Sequence, residues 1–254
     1  MKLFYRKFGK GKPLIILHGL FGMSDNWMTI GKKIAKRHTV YIPDQRNHGR
    51  SGHSDEFDYD ILVNDLAEFA AEQDLKEMRL IGHSMGGKVA MQYALMFPQK
   101  VEKLVVVDIA PKNYYNTYFK MFLETLSAIN LDSLKSRDEA DMQLSNKIKQ
   151  KPIRQFLLKN LRRNRDGTFS WKANLQSIYR NIDKILQGSN ETFTFENPTL
   201  FIKGGRSEYI VPADYSLIKR IFPNSEIVTI ENATHWVHSD EPDEFCDHLR
   251  TFFG

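Results

Sequence analysis

Four short runs constrain this chain more than any other feature: LIILH (Leu14 to His18), TVYIP (Thr39 to Pro43), MRLIG (Met78 to Gly82) and VEKLVVVD (Val101 to Asp108). Each is almost entirely apolar, so a strand built from it must hide both of its faces. Stretches with helical spacing lie between them. SDNWMTIGKKIAKRH (Ser24 to His38) begins with Ser24, a candidate N-cap. In YDILVNDLAEFAAEQD (Tyr59 to Asp74), Ile61, Leu62, Leu66, Phe69 and Ala70 recur at threes and fours. MGGKVAMQYALMF (Met85 to Phe97) is the third, stopped by Pro98. Doubly buried strands alternating with helices predict an α/β fold: a mostly parallel central sheet with helices on both faces. KLFYRKFG (Lys2 to Gly9), closed by the turn GKGKP, predicts an added antiparallel edge strand.

The rhythm breaks after Pro111. Residues 112–190 read as mostly helical, with one turn at RDGTF (Arg165 to Phe169) and no strand of the apolar type. The alternation then resumes with TLFIK (Thr199 to Lys203), a helix over DYSLIKRIF, the strand EIVTI (Glu226 to Ile230) and a final helix over EPDEFCDHLRTFF. The expected organisation is one core domain made of 1–111 and 191–254, with 112–190 inserted as a helical cap over the carboxyl edge of the sheet. Charge follows the same division. Residues 112–190 hold 15 Lys and Arg against 7 Asp and Glu; the rest of the chain holds 21 against 24. No nucleic-acid motif accompanies this basic segment, so it reads as a solvated helical face or a surface for an anionic substrate. A single cysteine, Cys246, excludes an internal disulfide, reads as core filler and fits a reducing, cytoplasmic setting. No run approaches the ~18 apolar residues of a membrane span.

GHSMG (Gly82 to Gly86) falls where a strand should end and a helix begin. In an open α/β sheet, ligands bind beyond the carboxyl ends of the strands. The pattern G-x-S-x-G there is a nucleophile elbow: a sharp turn lifts the serine clear of the sheet, and its neighbours must lack side chains. Ser84 is the candidate nucleophile. A serine hydroxyl needs a base, and His235, in NATHWVH after the last strand, is placed to supply it. Two acids are candidates for orienting that histidine. Asp108 ends the strand LVVVD and is favoured for its rigid position; Glu208, in GGRSEYIVP, is the other, with Ser207 beside it as a possible hydrogen-bonding support. The oxyanion hole needs two N–H donors. Met85 follows the nucleophile, and HGLFG (His18 to Gly22) should supply the second from Leu20, with Phe21 as the fallback. His18, Phe21 and Trp236 are expected in the wall of the substrate pocket. A His235-x-x-His238 metal pair has no third ligand in its loop, and no metal or cofactor is expected.

HGLFG, DQRNHGRS (from Asp44), GHSMGG, VDIAP (from Val107) and ATHWVH (from Ala233) occur together and in order. The set resembles the α/β-hydrolase superfamily along the whole chain. More narrowly, it is similar to the bacterial YbfF-type esterases and their eukaryotic relatives of the abhydrolase-domain 11 group. The resemblance implies the α/β-hydrolase fold and a serine hydrolase of carboxylic esters or acyl thioesters, with the acid in the D-I-A-P segment at Asp108. Asp44 and Arg46 then brace a loop near the site. The partner would be a small acyl ester or thioester, with neither nucleic acid nor membrane. A carbon–carbon bond hydrolase, an acyltransferase, a haloperoxidase or a non-catalytic receptor could use the same frame. A dehalogenase or epoxide hydrolase would need a carboxylate where Ser84 stands.

Overall fold

The strands follow from where the apolar runs lie, and their pairing follows from the connections between them. The computed structural model describes residues 1–115, 118–188 and 192–254. In chain order the first half comprises β1 (Tyr5–Phe8), β2 (Lys12–Leu17), α1 (Met28–Ile34), β3 (His38–Pro43), α2 (Tyr59–Glu72), β4 (Met78–His83), α3 (Met85–Met96) and β5 (Val101–Val107). Next come α4 (Tyr118–Ser127), α5 (Arg137–Ser145), α6 (Lys151–Leu158), β6 (Leu161–Arg163), β7 (Phe169–Trp171) and α7 (Leu175–Ile185). The chain then returns to the sheet through β8 (Thr199–Gly204), α8 (Tyr215–Ile221), β9 (Ser225–Ile230), α9 (Val237–Asp240) and α10 (Pro242–Phe253).

The central sheet has seven strands in the order β1-β3-β2-β4-β5-β8-β9. Only β1 is antiparallel, pairing Tyr5 with Pro43 and Phe8 with Val40 along β3. Winding reverses between β2 and β4, so the carboxyl ends of these two neighbours form the crevice of a topological switch point. Alternate side chains along each strand feed two separate cores. Ile15, Leu80 and Val106 pack with Leu66, Phe69 and Val89 of α2 and α3. Ile16, Ile81 and Val105 pack with Ile30, Phe245 and Leu249 of α1 and α10. Each such side chain contributes about 1.5–3 kcal/mol by leaving water, and this double burial keeps the strand ends rigid where the site is built. Cys246 lies in the second core, fully buried and unpaired.

Three details differ from the sequence expectations. Ser24 is not the N-cap of a long helix; it opens a short 3-10 turn, Ser24–Trp27, and its N–H donates to Asp44 Oδ1 at 2.5 Å. The segment between β5 and β8 is not purely helical, because β6 and β7 form a small antiparallel hairpin around the Arg165–Phe169 turn. The loop holding His235 runs straight into the short helix α9. The expected end of the insertion at residue 190, and its residues 116 and 117, lie outside the described residues. No helix among the described residues is long and apolar enough to cross a membrane.

Candidate active site

Strain marks the strand ends first. Phe21, Ser84 and Asp108 all carry positive φ values, 60°, 52° and 49°, in a region that costs a non-glycine residue of order 1–3 kcal/mol. All three sit just past the carboxyl ends of β2, β4 and β5. At Ser84 the glycine requirement of GHSMG becomes concrete. A Cβ on Gly86 would strike the Leu17 and His18 carbonyls, and one on Gly82 would strike Gly86 itself. The turn is thus closed too tightly for any side chain, and Ser84 stands at the N-terminus of α3 with its N–H held by the Val107 carbonyl at 3.0 Å.

Asp108 is fully buried, and three donors converge on its carboxylate. The Gly204 N–H donates to Oδ1 at 3.0 Å, His235 Nδ1–H donates to Oδ2 at 2.8 Å, and the Ser207 hydroxyl also donates to Oδ2. A carboxylate that accepts from Nδ1 fixes the imidazole proton there and leaves Nε2 free to act as a base. Tyr209 stacks on the His235 ring at 3.8 Å and 18°. His83 Nε2–H donates to the His235 carbonyl at 2.8 Å, so ring and backbone are both held. Glu208 is exposed and makes no hydrogen bond to His235 among the described residues. The structure therefore joins Asp108, Ser207 and His235, and leaves Glu208 apart.

Of the oxyanion-hole candidates, the N–H groups of Leu20 and Met85 make no hydrogen bond among the described residues. The fallback, Phe21, is spent: its N–H donates to His48 Nε2 at 3.2 Å. His18 does not line the cavity beside Ser84. It is wholly buried beneath the loop, where Nε2 accepts the Gln45 N–H at 2.9 Å and Nδ1–H meets the Gly19 carbonyl. Both nitrogens are engaged, so an added proton would point at another donor. Burial pushes the pKa of His18 down to about 4 and those of His48 and His83 to about 3, and it also holds His238 well below its ordinary value. These four imidazoles are neutral near pH 7.

Ser84, Leu20, Phe21, His235 and Trp236 line one cavity of about 530 Å³. The segment between β5 and β8 supplies its opposite wall: Phe119, Met121 and Phe122 from α4, and Ile153 and Leu157 from α6. Asp44 braces the loop beneath by accepting the Ser24 and Arg50 N–H groups, and Arg46 makes a buried two-pronged pair with Asp65 at 2.7 and 2.9 Å. Among the described residues, no group of His, Cys, Asp and Glu is arranged to hold a metal ion.

Several residues that the sequence reading missed complete the frame. Asn160, after α6, donates to the Phe21 carbonyl at 2.8 Å and ties the segment between β5 and β8 to the loop that bears Leu20. Lys88 is 2% exposed and has no carboxylate partner among the described residues. Its ammonium donates to the Lys112 carbonyl at 2.9 Å and to the Leu186 and Gln187 carbonyls, near the two ends of the segment between β5 and β8. It also faces the Tyr114 ring at 4.8 Å. Burial and nearby Lys112 lower its pKa to about 7. Lys88 lies one helical turn beyond Ser84, a spacing that could have flagged it.

Comparison with known proteins places this geometry in context. A family model described as the alpha/beta hydrolase fold matches residues 12–242. A solved structure described as a marine microorganism esterase is similar with a TM-score of 0.96 and 44% identity, covering 99% of both chains. The sn-1-specific diacylglycerol lipase ABHD11 of Danio rerio is 40% identical over 251 residues, 96% of this chain and 79% of that protein. Esterase YbfF of Escherichia coli (strain K12) is 29% identical over 242 residues, 95% of this chain and 93% of that protein. These are the two groups that the motifs resembled.

Proposed function

The chain belongs to the alpha/beta hydrolase fold family, and from that premise we propose that it hydrolyses carboxylic esters through Ser84, His235 and Asp108. The observation that carries this reading is the 2.8 Å contact between His235 Nδ1 and the buried Asp108 carboxylate, on the cavity wall that also holds Ser84. Ser84 Oγ transfers its proton to His235 Nε2 and attacks the acyl carbonyl. Leu20 and Met85 N–H groups receive the developing oxyanion. Collapse of the tetrahedral intermediate expels the alkoxide, which takes the proton from His235, and leaves an acyl-enzyme. Water then repeats the sequence and releases the acid. Asp108 orients His235 and steadies the imidazolium.

Residues 112–190 act as the cap in this reading, with Phe119, Phe122, Ile153 and Leu157 receiving an apolar acyl chain. Relatives named esterase and lipase support an ester as the substrate. A thioester with an anionic leaving group is the second reading. Lys147 and Lys149 on the cavity wall favour it, together with the basic surplus of the same segment. Hydrolysis of p-nitrophenyl esters of graded chain length, with Ser84→Ala alongside, tests the first reading. A loss approaching 10⁶-fold in kcat is expected from removing such a nucleophile, together with loss of labelling by an active-site phosphonate. Turnover by Ser84→Ala near the wild-type rate would refute it. Salt dependence separates the two substrates, because only a charged leaving group should lose affinity as ionic strength rises.

A further inference from the structure

The turn that carries Leu20 is held from two sides by groups from different parts of the chain. It runs from Gly19 to Gly22 and is closed by the Gly22 N–H on the Gly19 carbonyl at 2.9 Å. It passes close beside the nucleophile, since a Cβ on Gly19 would lie 3.1 Å from Ser84 Cβ. Phe21 takes the strained position in it, with φ 60°. A residue in that region persists only when its surroundings fix it. From the core, His48 does so: its Nδ1–H donates to the Arg46 carbonyl at 2.8 Å, and its Nε2 accepts the Phe21 N–H at 3.2 Å. From the segment between β5 and β8, Asn160 grips the other end of the same residue, donating to the Phe21 carbonyl at 2.8 Å.

Asn160 makes that contact at the expense of its own oxygen. The side chain is wholly buried, and Nδ2 faces two carbonyls, Phe21 at 2.8 Å and Leu157 at 3.3 Å, so the atom turned to them must be the donor. Oδ1 is left buried with no hydrogen-bond partner among the described residues, which costs about 1–3 kcal/mol. An apolar side chain would fill the same space without that penalty. The backbone is fixed too: the Asn160 N–H donates to the Leu157 carbonyl at 3.0 Å, and its carbonyl accepts the Lys172 N–H at 2.8 Å. Asn160 follows α6, whose Ile153, Phe156 and Leu157 line the same cavity as Ser84. An acyl chain lying on α6 is therefore separated from the Leu20 turn only by Leu157, Asn160 and the Phe21 carbonyl.

We propose that Asn160 is a positioning residue that couples filling of the cavity along α6 to the placement of the Leu20 N–H at the oxyanion. The proposal rests on the ester-hydrolase reading of Ser84. Binding of the acyl chain then goes into orienting a donor that matters only in the transition state, so a longer chain raises kcat as well as lowering KM.

The test compares p-nitrophenyl esters from acetate to octanoate in the wild type, Asn160→Leu, Asn160→Ala and Asn181→Leu. Asn181 is the matched control: it lies in α7 of the same segment, is nearly buried, and donates from Nδ2 to the Asp55 carbonyl at 2.9 Å, outside the Gly19–Gly22 turn. Alanine beside leucine separates loss of the bond from a packing fault. In the wild type kcat should rise several-fold along the series. Both Asn160 variants should lose about tenfold to hundredfold in kcat on the octanoate, less than the roughly 10²–10³-fold of deleting an oxyanion donor. Their kcat should no longer follow chain length, while KM still falls with it. Affinity for an octyl trifluoromethyl ketone, whose adduct with Ser84 carries an oxyanion, should weaken in step with kcat/KM, and affinity for octan-2-ol should not. Asn181→Leu should keep the wild-type slope and ketone affinity. A wild-type kcat independent of chain length, which needs no variant to fold, overturns the coupling and leaves the ester-hydrolase reading standing. Asn160 variants within about twofold of wild type, or an equal loss in Asn181→Leu, do the same. Absence of hydrolysis of every ester by the wild type, with no ketone adduct on Ser84, overturns both.

Discussion

Replacing Asp108 with Asn tests the proposed chemistry more sharply than any truncation, because it keeps the shape and changes one acceptor into a donor. Three donors converge on the two oxygens of Asp108, and an amide offers only one oxygen. The Gly204 N–H belongs to a strand end and cannot turn away, so the amide oxygen must face it. The amide N–H₂ then faces Ser207 and His235. Ser207 can rotate its hydroxyl to accept. His235 can accept only by moving its proton from Nδ1 to Nε2, and an Nε2 that carries a proton cannot take one from Ser84. A wrong tautomer of this kind is worth about 10⁴ in kcat. The stability cost is smaller: losing charge-assisted bonds at a buried site costs about 1.5–3 kcal/mol. At roughly 2–4 °C per kcal/mol for a chain of this size, Tm should fall by several degrees. The measurement is kcat on p-nitrophenyl butyrate beside a thermal melt, with Glu208→Gln as the paired control. Glu208→Gln should remain within about threefold of wild type. Activity of Asp108→Asn within tenfold of wild type, or collapse in Glu208→Gln alone, would refute the assignment of the acid.

Two further outcomes follow from the buried cations and imidazoles. His18, His48, His83 and His238 bind protons more weakly in the folded state than in the unfolded chain, so stability is complete above pH 6.5 and is lost as pH falls toward 3–4. Four such groups give a slope of about 5 kcal/mol per pH unit at most; Tm should drop steeply below pH 6, and a flat Tm between pH 7 and 4.5 would contradict the burial argument. Lys88→Met removes the ammonium that joins three carbonyls, so amide exchange at Tyr114 and Gly188, which pair with Leu186 and Asn113, should quicken several-fold. Unchanged exchange there would mean that the roots of the insertion hold without it.

What the sequence revealed depended on whether a residue's partners were local. The sheet strands were legible because double burial needs unbroken apolar runs, and GHSMG was legible because close backbone approach needs glycine at fixed spacing. The choice between Asp108 and Glu208 stayed open in the sequence, since both follow strands; side-chain direction, set by tertiary packing, separates them. The β6–β7 hairpin escaped because Arg162 and Arg163 interrupt its apolar pattern. His48 and His83 gave no sign of burial, as a histidine's neighbours in sequence do not tell which loops will cover it. Lys88 sits one turn into a helix, and only the carbonyls of residues more than 20 positions away make its burial tolerable.

The paired ends of the insertion also bear on how such a chain can be altered. The Tyr114 N–H meets the Leu186 carbonyl at 2.8 Å, and the Gly188 N–H meets Asn113 at 2.6 Å. Departure and return are therefore almost a single point on the core. A block that leaves and rejoins the core there can be exchanged between homologues without stretching the chain, provided the graft brings carbonyls to the lysine at the seam and keeps the ties of Asn160 to Phe21 and of Asn174 and Ser177 to Asn47. Selectivity could then be re-engineered by transplanting one contiguous block, while the reacting groups beneath keep their places.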